Sequence, residues 1–573
     1  MLMLFILAAF QLGLYGCIAS PAASITATRD ESGVVKSPLD VFEVQAPLRA
    51  SYGGTSCEQV VLQYTFAGSY GTPYVGTYSP PEDCEFTTTI FNLSMTSSGI
   101  NYDRLGLIYF GDVEVWRTTT AMPVRTGIFW NYQKDVTIFD TLLRSEQKVI
   151  MSLDNLYDSV FTGAYNVTIT ALYYNDNQTL SPADLILPIS TQSSGQDKAS
   201  VISLPDGNAT VSFTLPRNAE RAVVSVLASG NGDEEFWYRN VPTQYTDTFN
   251  NSALHAYSPF REVQVLIDGV LAGVGWPFPI IFTGGISPGL WVPIVGVHTY
   301  DVPSFEVDIS PWLGILCDGK AHSFELAVVG YDSKTTFGTV GSNWWVSGSI
   351  FVWKDAGGNQ TTGTPRAALV RPASPLSYQH HHDIIGPQNL SWSQSLSYSS
   401  INNYTAEGSN KTISALTTGT SYFSPSSKYS SPINNTFSYP ITFRTSSTTP
   451  VDATTANSTI VASLDRSLLS NAVPILSYLT SPSIFGTPQV LATRQTGSSV
   501  YYWNDTYYEF AGAIDPAMGT SGSTEQWYSA VSKVGVYGRH VKAIDGYEPV
   551  LVVDEEFPSA IAVPDTELVG IGK

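Results

Sequence analysis

At 573 residues the chain is too long for one hydrophobic core and predicts about two to four domains. Charged residues are 13% of it and aromatic residues 12%, and 28 basic against 49 acidic residues leave a net charge of −21. That balance argues against nucleic acid and anionic membrane surfaces as partners and leaves room for a neutral substrate.

The chain opens on MLMLFILAAFQLGLYGCIAS, an apolar run that ends in small residues before Pro21. Although it lacks a basic start, its length and flank predict a cleaved signal peptide over residues 1–20 rather than an anchor. Cleavage is expected near Ala19–Ser20 or Ala23–Ser24. No later run is long and apolar enough to span a bilayer, and no anchor signal is read at the C-terminus, so no membrane anchor is expected. Sequons begin at Asn92, Asn166, Asn177, Asn208, Asn250, Asn359, Asn389, Asn403, Asn410, Asn434, Asn457 and Asn504, and their spread suits a secreted chain. Cys57 and Cys84 are close enough in sequence to staple one loop in an oxidising compartment. Cys317 is left as a buried free thiol, and Cys spacing offers no metal site.

Tyr, Thr, Ser, Val and Asn abound and Gly and Pro punctuate at short intervals, which predicts an all-β protein of short strands and tight turns. Residues 25–40 are polar, and SPLDVFEVQAPL begins ordered structure. Alternation in VVLQYTF, LIYF, VEVW, VTIF, NVTITALYY and LILPI predicts a first sandwich over 37–189. STQSSGQDKAS reads as a linker. A second strand-rich block, 201–355, contains ATVSFTL, RAVVSVLAS, REVQVLIDGVLAGV, SFEVDI, HSFELAVVGYD and WWVSGSIFVWKD. After AGGNQTTGTP, residues 366–573 read as a third, accessory β-rich domain with long loops.

Four acidic clusters could carry chemistry. Asp103 and Arg104 stand at the start of a strand, where a guanidinium beside a carboxylate would orient it. Taken alone, the pair is more often structural. GNGDEEFWYRN follows a buried strand and offers Glu234 or Glu235, with Trp237 and Tyr238 as faces for sugar rings. On strand geometry the two glutamates point to opposite faces, so only one enters a given cleft. Asp154 lies between two strands and by itself reads as a turn residue. Arg125, Trp130 and Asp135 form the fourth cluster. The tract His380–His382 with Asp383 predicts a loop rather than a metal site, because consecutive residues rarely converge on one ion. With no phosphate loop, nucleophile elbow or HExxH, paired carboxylates remain the route to hydrolysis.

Several long stretches carry a resemblance in the same order: YDRLGLIYFGDVEVWRTTTAMPVRTGIFWNYQKDVTIFDTLL, EEFWYRNVP, FREVQVLIDGVLAGVGWPFPIIFTGGISPGLW and NWWVSGSIFVW. They resemble the peptide-N4-(N-acetyl-β-glucosaminyl)asparagine amidase A family of plants and fungi, closely over residues 37–355 and more loosely beyond. The resemblance implies a hydrolase that cuts the bond between an Asn side-chain nitrogen and the first N-acetylglucosamine of an N-glycan. It implies N-glycopeptides or N-glycoproteins as substrate, no cofactor or metal, and a secreted or acidic, vacuolar-type location. A monomer or a processed two-chain form is expected.

A more distant similarity to the flavobacterial glycoamidase implies two adjacent jelly-roll-like β-sandwiches with the active site at their interface. Asp103 with Arg104 matches its Trp-Asp-Arg motif, Tyr102 replacing the Trp. Glu235, with Glu234 as alternative, matches its second carboxylate, and Asp154 falls near a third acid that is Glu there. Arg125, Arg239 and Arg261 compete for its distal arginine, and Trp291 matches a site Trp. Asp103 would then act as base or nucleophile and Glu235 would bind the chitobiose core. A non-catalytic N-glycan-binding protein and a glycosidase are the rival readings.

Overall fold

The computed structural model describes residues 38–45, 56–175, 182–240, 243, 246, 255–257, 260–285, 288–332 and 336–362, together with the strands that lie between 377 and 555. The expected leader over 1–20 lies outside the described residues, as do the sequons at Asn177, Asn250, Asn389, Asn403 and Asn410. No helix among the described residues is long and apolar enough to cross a membrane.

The protein is all-β. The strands β1 (Leu39–Asp40), β2 (Ser56–Phe66), β3 (Tyr74–Tyr78), β4 (Thr88–Ser98), β5 (Leu105–Phe110), β6 (Val113–Thr119), β7 (Ile128–Asp135), β8 (Gln147–Leu153) and β9 (Ala164–Tyr174) build a first sandwich. Its sheets run β1-β7-β4-β9-β2 and β3-β8-β5-β6. The alternation that predicts these strands is the alternation that fills the core. In β9, Tyr165, Val167, Ile169, Ala171 and Tyr173 are all buried on one face. A disulfide joins Cys57 on β2 to Cys84, and Cys317 is free and buried.

A second sandwich contains β10 (Leu185–Ile189), β11 (Ile202–Leu204), β12 (Thr210–Phe213), β13 (Ala219–Gly230), β14 (Glu262–Ile267), β15 (Val270–Gly275), β16 (Phe305–Asp308), β17 (His322–Asp332), β18 (Thr336–Gly338) and β19 (Trp344–Lys354). Its sheets run β10-β19-β13-β16, with β11 on β19, and β12-β17-β14-β15, with β18 on β17. The β14–β15 turn has left-handed Asp268 and Gly269, φ 50° and 73°, as a two-residue hairpin with native twist requires. Beyond it, a hairpin (Ser377–Ile384 with Leu390–Ser397) precedes seven antiparallel strands in sequence order, from Thr412–Phe423 to Pro549–Glu555. Tyr528, Tyr537 and Val541 of that sheet pack into the core of the second sandwich.

β6 welds the two sandwiches, and it is buried at every position. The β5–β6 register skips a residue, pairing Ile108 with Trp116 and Tyr109 with Glu114, so Val115 is a bulge. A regular strand would send Glu114 and Arg117 to opposite faces; the extra residue puts them on the same one. There Arg117 holds Glu114 through Nε–Oε1 and Nη2–Oε2 bonds, both 2.7 Å, and reaches across to Ser229 Oγ and the Trp345 carbonyl.

Four expectations are corrected. VTIF is not a strand: Asp135 Oδ1 accepts the Thr137 N–H at 2.8 Å and turns the chain into a 3-10 turn, Thr137–Phe139. LILPI, placed at the end of the first block, pairs with β19 of the second sandwich. The expected linker 190–200 is pinned to the β5–β6 turn, because Asp112 accepts from Ser194 N and Ser200 Oγ. The His380–Asp383 tract is a strand, not a loop.

Candidate active site

Asp103 lies in the four residues before β5, and that segment is fixed from several sides. Buried Asn101 accepts from Tyr102 N and Arg104 Nη2, each 2.9 Å, and donates to the carbonyls of Leu156 and Gly163. Arg104 N donates to Thr120 Oγ1, and Thr120 N to the Arg104 carbonyl. The Tyr165 hydroxyl caps the Tyr102 carbonyl at 2.7 Å. The Arg104 side chain is spent on this scaffold: Nε reaches Asn155 Oδ1 at 3.2 Å, Nη2 takes Asn101, and the guanidinium lies over the Tyr102 ring. It contributes charge to Asp103 rather than a hydrogen bond.

The donor that Asp103 does have comes from the second sandwich. Gly284 N–H donates to Asp103 Oδ1 at 3.0 Å. Burial pushes the carboxyl up to about 6, against the pull of its own and the Gly284 amide and of the Arg104 charge.

The two glutamates part company, by a different route from the one strand geometry predicts. β13 ends at Gly230, and residues Gly232–Glu234 form a 3-10 turn. Glu234 turns inward and is saturated: Arg261 donates twice, at 2.5 and 2.8 Å, Trp344 Nε1 at 2.7 Å and Gly341 N at 2.9 Å. Burial alone would raise its carboxyl, but the Arg261 charge and these donors outweigh it and lower it. Glu235 is half-buried, and its carboxylate makes no hydrogen bond among the described residues. Burial first, then repulsion from Asp103, raises it to about 7. Asp103 and Glu235, one from each sandwich, therefore feel each other's charge.

Most of the other expected residues serve the scaffold. Trp237 and Tyr238, expected to stack on sugar, are 7% and 0% exposed and belong to the second core. Phe236 is the half-buried aromatic of that loop and borders Gly285. Arg261 is consumed by Glu234 and by the carbonyls of Tyr257 and Phe260. Arg125 is exposed on a turn. Asp154 follows β8 and accepts the N–H of Gly71, itself on a turn, at 3.1 Å, while its neighbour Asn155 reaches Arg104. Buried Trp291 touches the site through backbone, its Nε1 donating to the Gly285 carbonyl at 2.7 Å. Sequence reasoning missed Gly284, Asn101 and Asn155; the Gly284-Gly285 pair in FTGGISP was the available signal. Among the described residues no group of three His, Cys, Asp or Glu side chains is placed to hold a metal ion.

A family model described as peptide N-acetyl-β-D-glucosaminyl asparaginase amidase A matches residues 45–369. The chain belongs to this family. The model of the PNGase A C-terminal domain matches residues 380–441. A relative from Prunus dulcis, described as peptide-N4-(N-acetyl-β-glucosaminyl)asparagine amidase A, is 35% identical over 347 residues, 57% of this chain and 59% of its own. The alignment thus spans under two thirds of that relative's length. Among solved structures, PNGase F from Flavobacterium meningosepticum, described as a glycosylasparaginase, is 17% identical with a TM-score of 0.34, covering 52% of this chain and 96% of its own. PNGF-II is 13% identical with a TM-score of 0.37, covering 52% and 66%.

Proposed function

We propose that this family member is a glycoamidase that hydrolyses the amide between an Asn side chain and the first N-acetylglucosamine of an N-glycan. The observation that carries the reading is a pair of desolvated carboxyls from two different sandwiches, Asp103 raised to about 6 and Glu235 raised further, to about 7, in part by the Asp103 charge. Near pH 6 to 7 the pair holds one proton between them, with Asp103 as the group that ionises first.

In this mechanism Asp103 takes a proton from water as the oxygen attacks the side-chain carboxamide carbon of the glycosylated Asn. Glu235 gives its proton to the amide nitrogen as the C–N bond breaks. The peptide leaves with Asp and the glycan leaves as a glycosylamine, which then loses ammonia to water. A secreted or vacuolar-type acidic location agrees with the disulfide and with carboxyls that favour their protonated form.

The test is mass spectrometry of a fluorescent N-glycopeptide after incubation. A glycoamidase removes the whole glycan and converts Asn to Asp, and Asp103→Asn lowers turnover on the order of 10²–10⁴-fold while the protein stays folded. N-acetylglucosamine left on Asn would identify a glycosidase, and unchanged peptide with bound glycan would identify a binding protein; either outcome rejects the proposal.

A further inference from the structure

We propose that Gly284 is a positioning residue for Asp103: through its backbone N–H and its missing side chain, the second sandwich sets the carboxylate of the first. The inference rests on the glycoamidase reading above, in which Asp103 is the base.

Gly284 is not among the glycines with left-handed backbone. An L-residue could therefore adopt its conformation, and backbone freedom is not what the position requires. What it requires is space. A Cβ at 284 would stand 2.1 Å from Asp103 Oδ1 and 3.1 Å from Met122 Sδ. The carboxylate approaches the amide so closely that only a hydrogen fits beside it.

The backbone is held on both sides of this contact, so the carboxylate is the part left to turn. The Gly284 loop is tied on both flanks, by Met122 N donating to Thr283 Oγ1 at 2.5 Å and by Trp291 Nε1 holding the Gly285 carbonyl. Asp103 is held by the hydrogen bonds of Tyr102 and Arg104 to Asn101, Asn155 and Thr120. A methyl group at 284 therefore turns the carboxylate off the amide rather than moving the loop.

The groups facing Asp103 then decide the direction of the change. Arg104 and Glu235 carry charge toward it, and buried Tyr165 stays neutral. The Gly284 amide favours the ionised form, so its loss makes Asp103 hold its proton more tightly.

The experiment is Gly284→Ala in the full chain, assayed on an N-glycopeptide. Turnover falls roughly 100-fold, as a misplacement of about an ångström at a reacting centre does, while KM stays within about threefold. The acidic limb of the pH profile moves upward, by about one pH unit. Thermal unfolding of Gly284→Ala, Asp103→Ala and the double variant supplies a second readout. The methyl lowers the melting temperature in the wild-type background and does so far less when the carboxylate is absent. Wild-type turnover with an unmoved acidic limb overturns the proposal, and so does an equal thermal loss in both backgrounds. If Gly284→Ala fails to fold, a folded double variant supports the contact and an unfolded one overturns it. A wild-type protein that releases no glycan rejects the glycoamidase reading instead, and the thermal cycle still judges the contact.

Discussion

Along the seam between the two sandwiches, Glu114 and Arg117 are answered on every side, whereas Asp103 and Glu235 are not. The Arg117–Glu114 pair is fully buried, bidentate and shared with Ser229, Ser347 and the Trp345 carbonyl. Asp103 has one donor from across the seam, and the Glu235 carboxylate has none among the described residues. A polar cleft of about 80 Å³ also opens on this seam, lined by Glu114, Lys134, Asp301 and Ser347, and contains neither of the latter two. Charges with complete partners hold the sandwiches together. Charges left short of partners change protonation near neutral pH, which is what acid–base chemistry needs.

Exchanging neighbours is the sharpest way to break this contrast. Glu235→Gln lowers kcat on the order of 10²–10⁴-fold and removes the alkaline limb of the pH profile, with the melting temperature unchanged or raised. Glu234→Gln, one residue earlier, instead costs about 3–5 kcal/mol of stability, because it leaves the Arg261 charge buried without its counter-charge. Its remaining activity tracks the folded fraction. Adding Arg261→Met restores much of that stability. If Glu234→Gln is stable and inactive, the two glutamates have been assigned the wrong way round.

That distinction was out of reach in GDEEFWYRN. The sequence supports the strands, because a period of two is a side-chain property and the core selects it directly. It also marks the Glu234/Glu235 stretch, whose acids stand beside aromatics, and the Asp103 stretch through its neighbouring guanidinium and the family resemblance. It does not reveal which glutamate Arg261 claims from 27 residues away, a matter of tertiary packing. Trp237 and Tyr238 look the same in sequence whether they face a sugar or the core. Gly284 was least visible, because a glycine in a loop does not show whether it answers to a turn or to a carboxylate from the other sandwich. The bulge at Val115, which makes the Glu114–Arg117 pair possible, was equally hidden.

The contrast also has a pH signature. Burial raises Glu43 to about 8, Glu235 to about 7 and Asp103 to about 6, all above their ordinary values. A carboxyl raised on folding makes its stabilising contribution in full below its unfolded pKa and loses it as pH climbs through the folded value. These three groups therefore lower stability between about pH 4 and pH 8. Glu234, lowered on folding, acts in the other sense and withdraws its contribution as pH falls below the ordinary carboxylate range. Stability should peak in mild acid, and melting curves from pH 4 to 8 check it; a maximum at or above about pH 8 would falsify the account. Glu43 accepts the amides of His298 and Tyr300, so Glu43→Gln carries a fixed cost at every pH. The informative number is the difference between its effect at pH 8 and at pH 5, a relative gain on the order of a few degrees at pH 8.

The smallest effect expected separates Asp154 from Asn155, adjacent residues on the segment after β8. Asp154 is half-buried and accepts one hydrogen bond, from Gly71 N, on a turn. Asp154→Ala should cost under about 1 kcal/mol and leave kcat/KM within about threefold. Asn155 is fully buried; it receives Arg104 Nε, donates to the carbonyls of Phe66 and Gly163, and takes Ser69 Oγ on its own N–H. Asn155→Ala removes an acceptor from Arg104 and donors from two carbonyls, for a loss of about 2–3 kcal/mol. It also frees the guanidinium whose charge helps keep Asp103 ionised, so its activity loss should grow as pH falls. A large, pH-dependent loss for Asp154→Ala with none for Asn155→Ala would move the support of Arg104 from Asn155 to the residue before it.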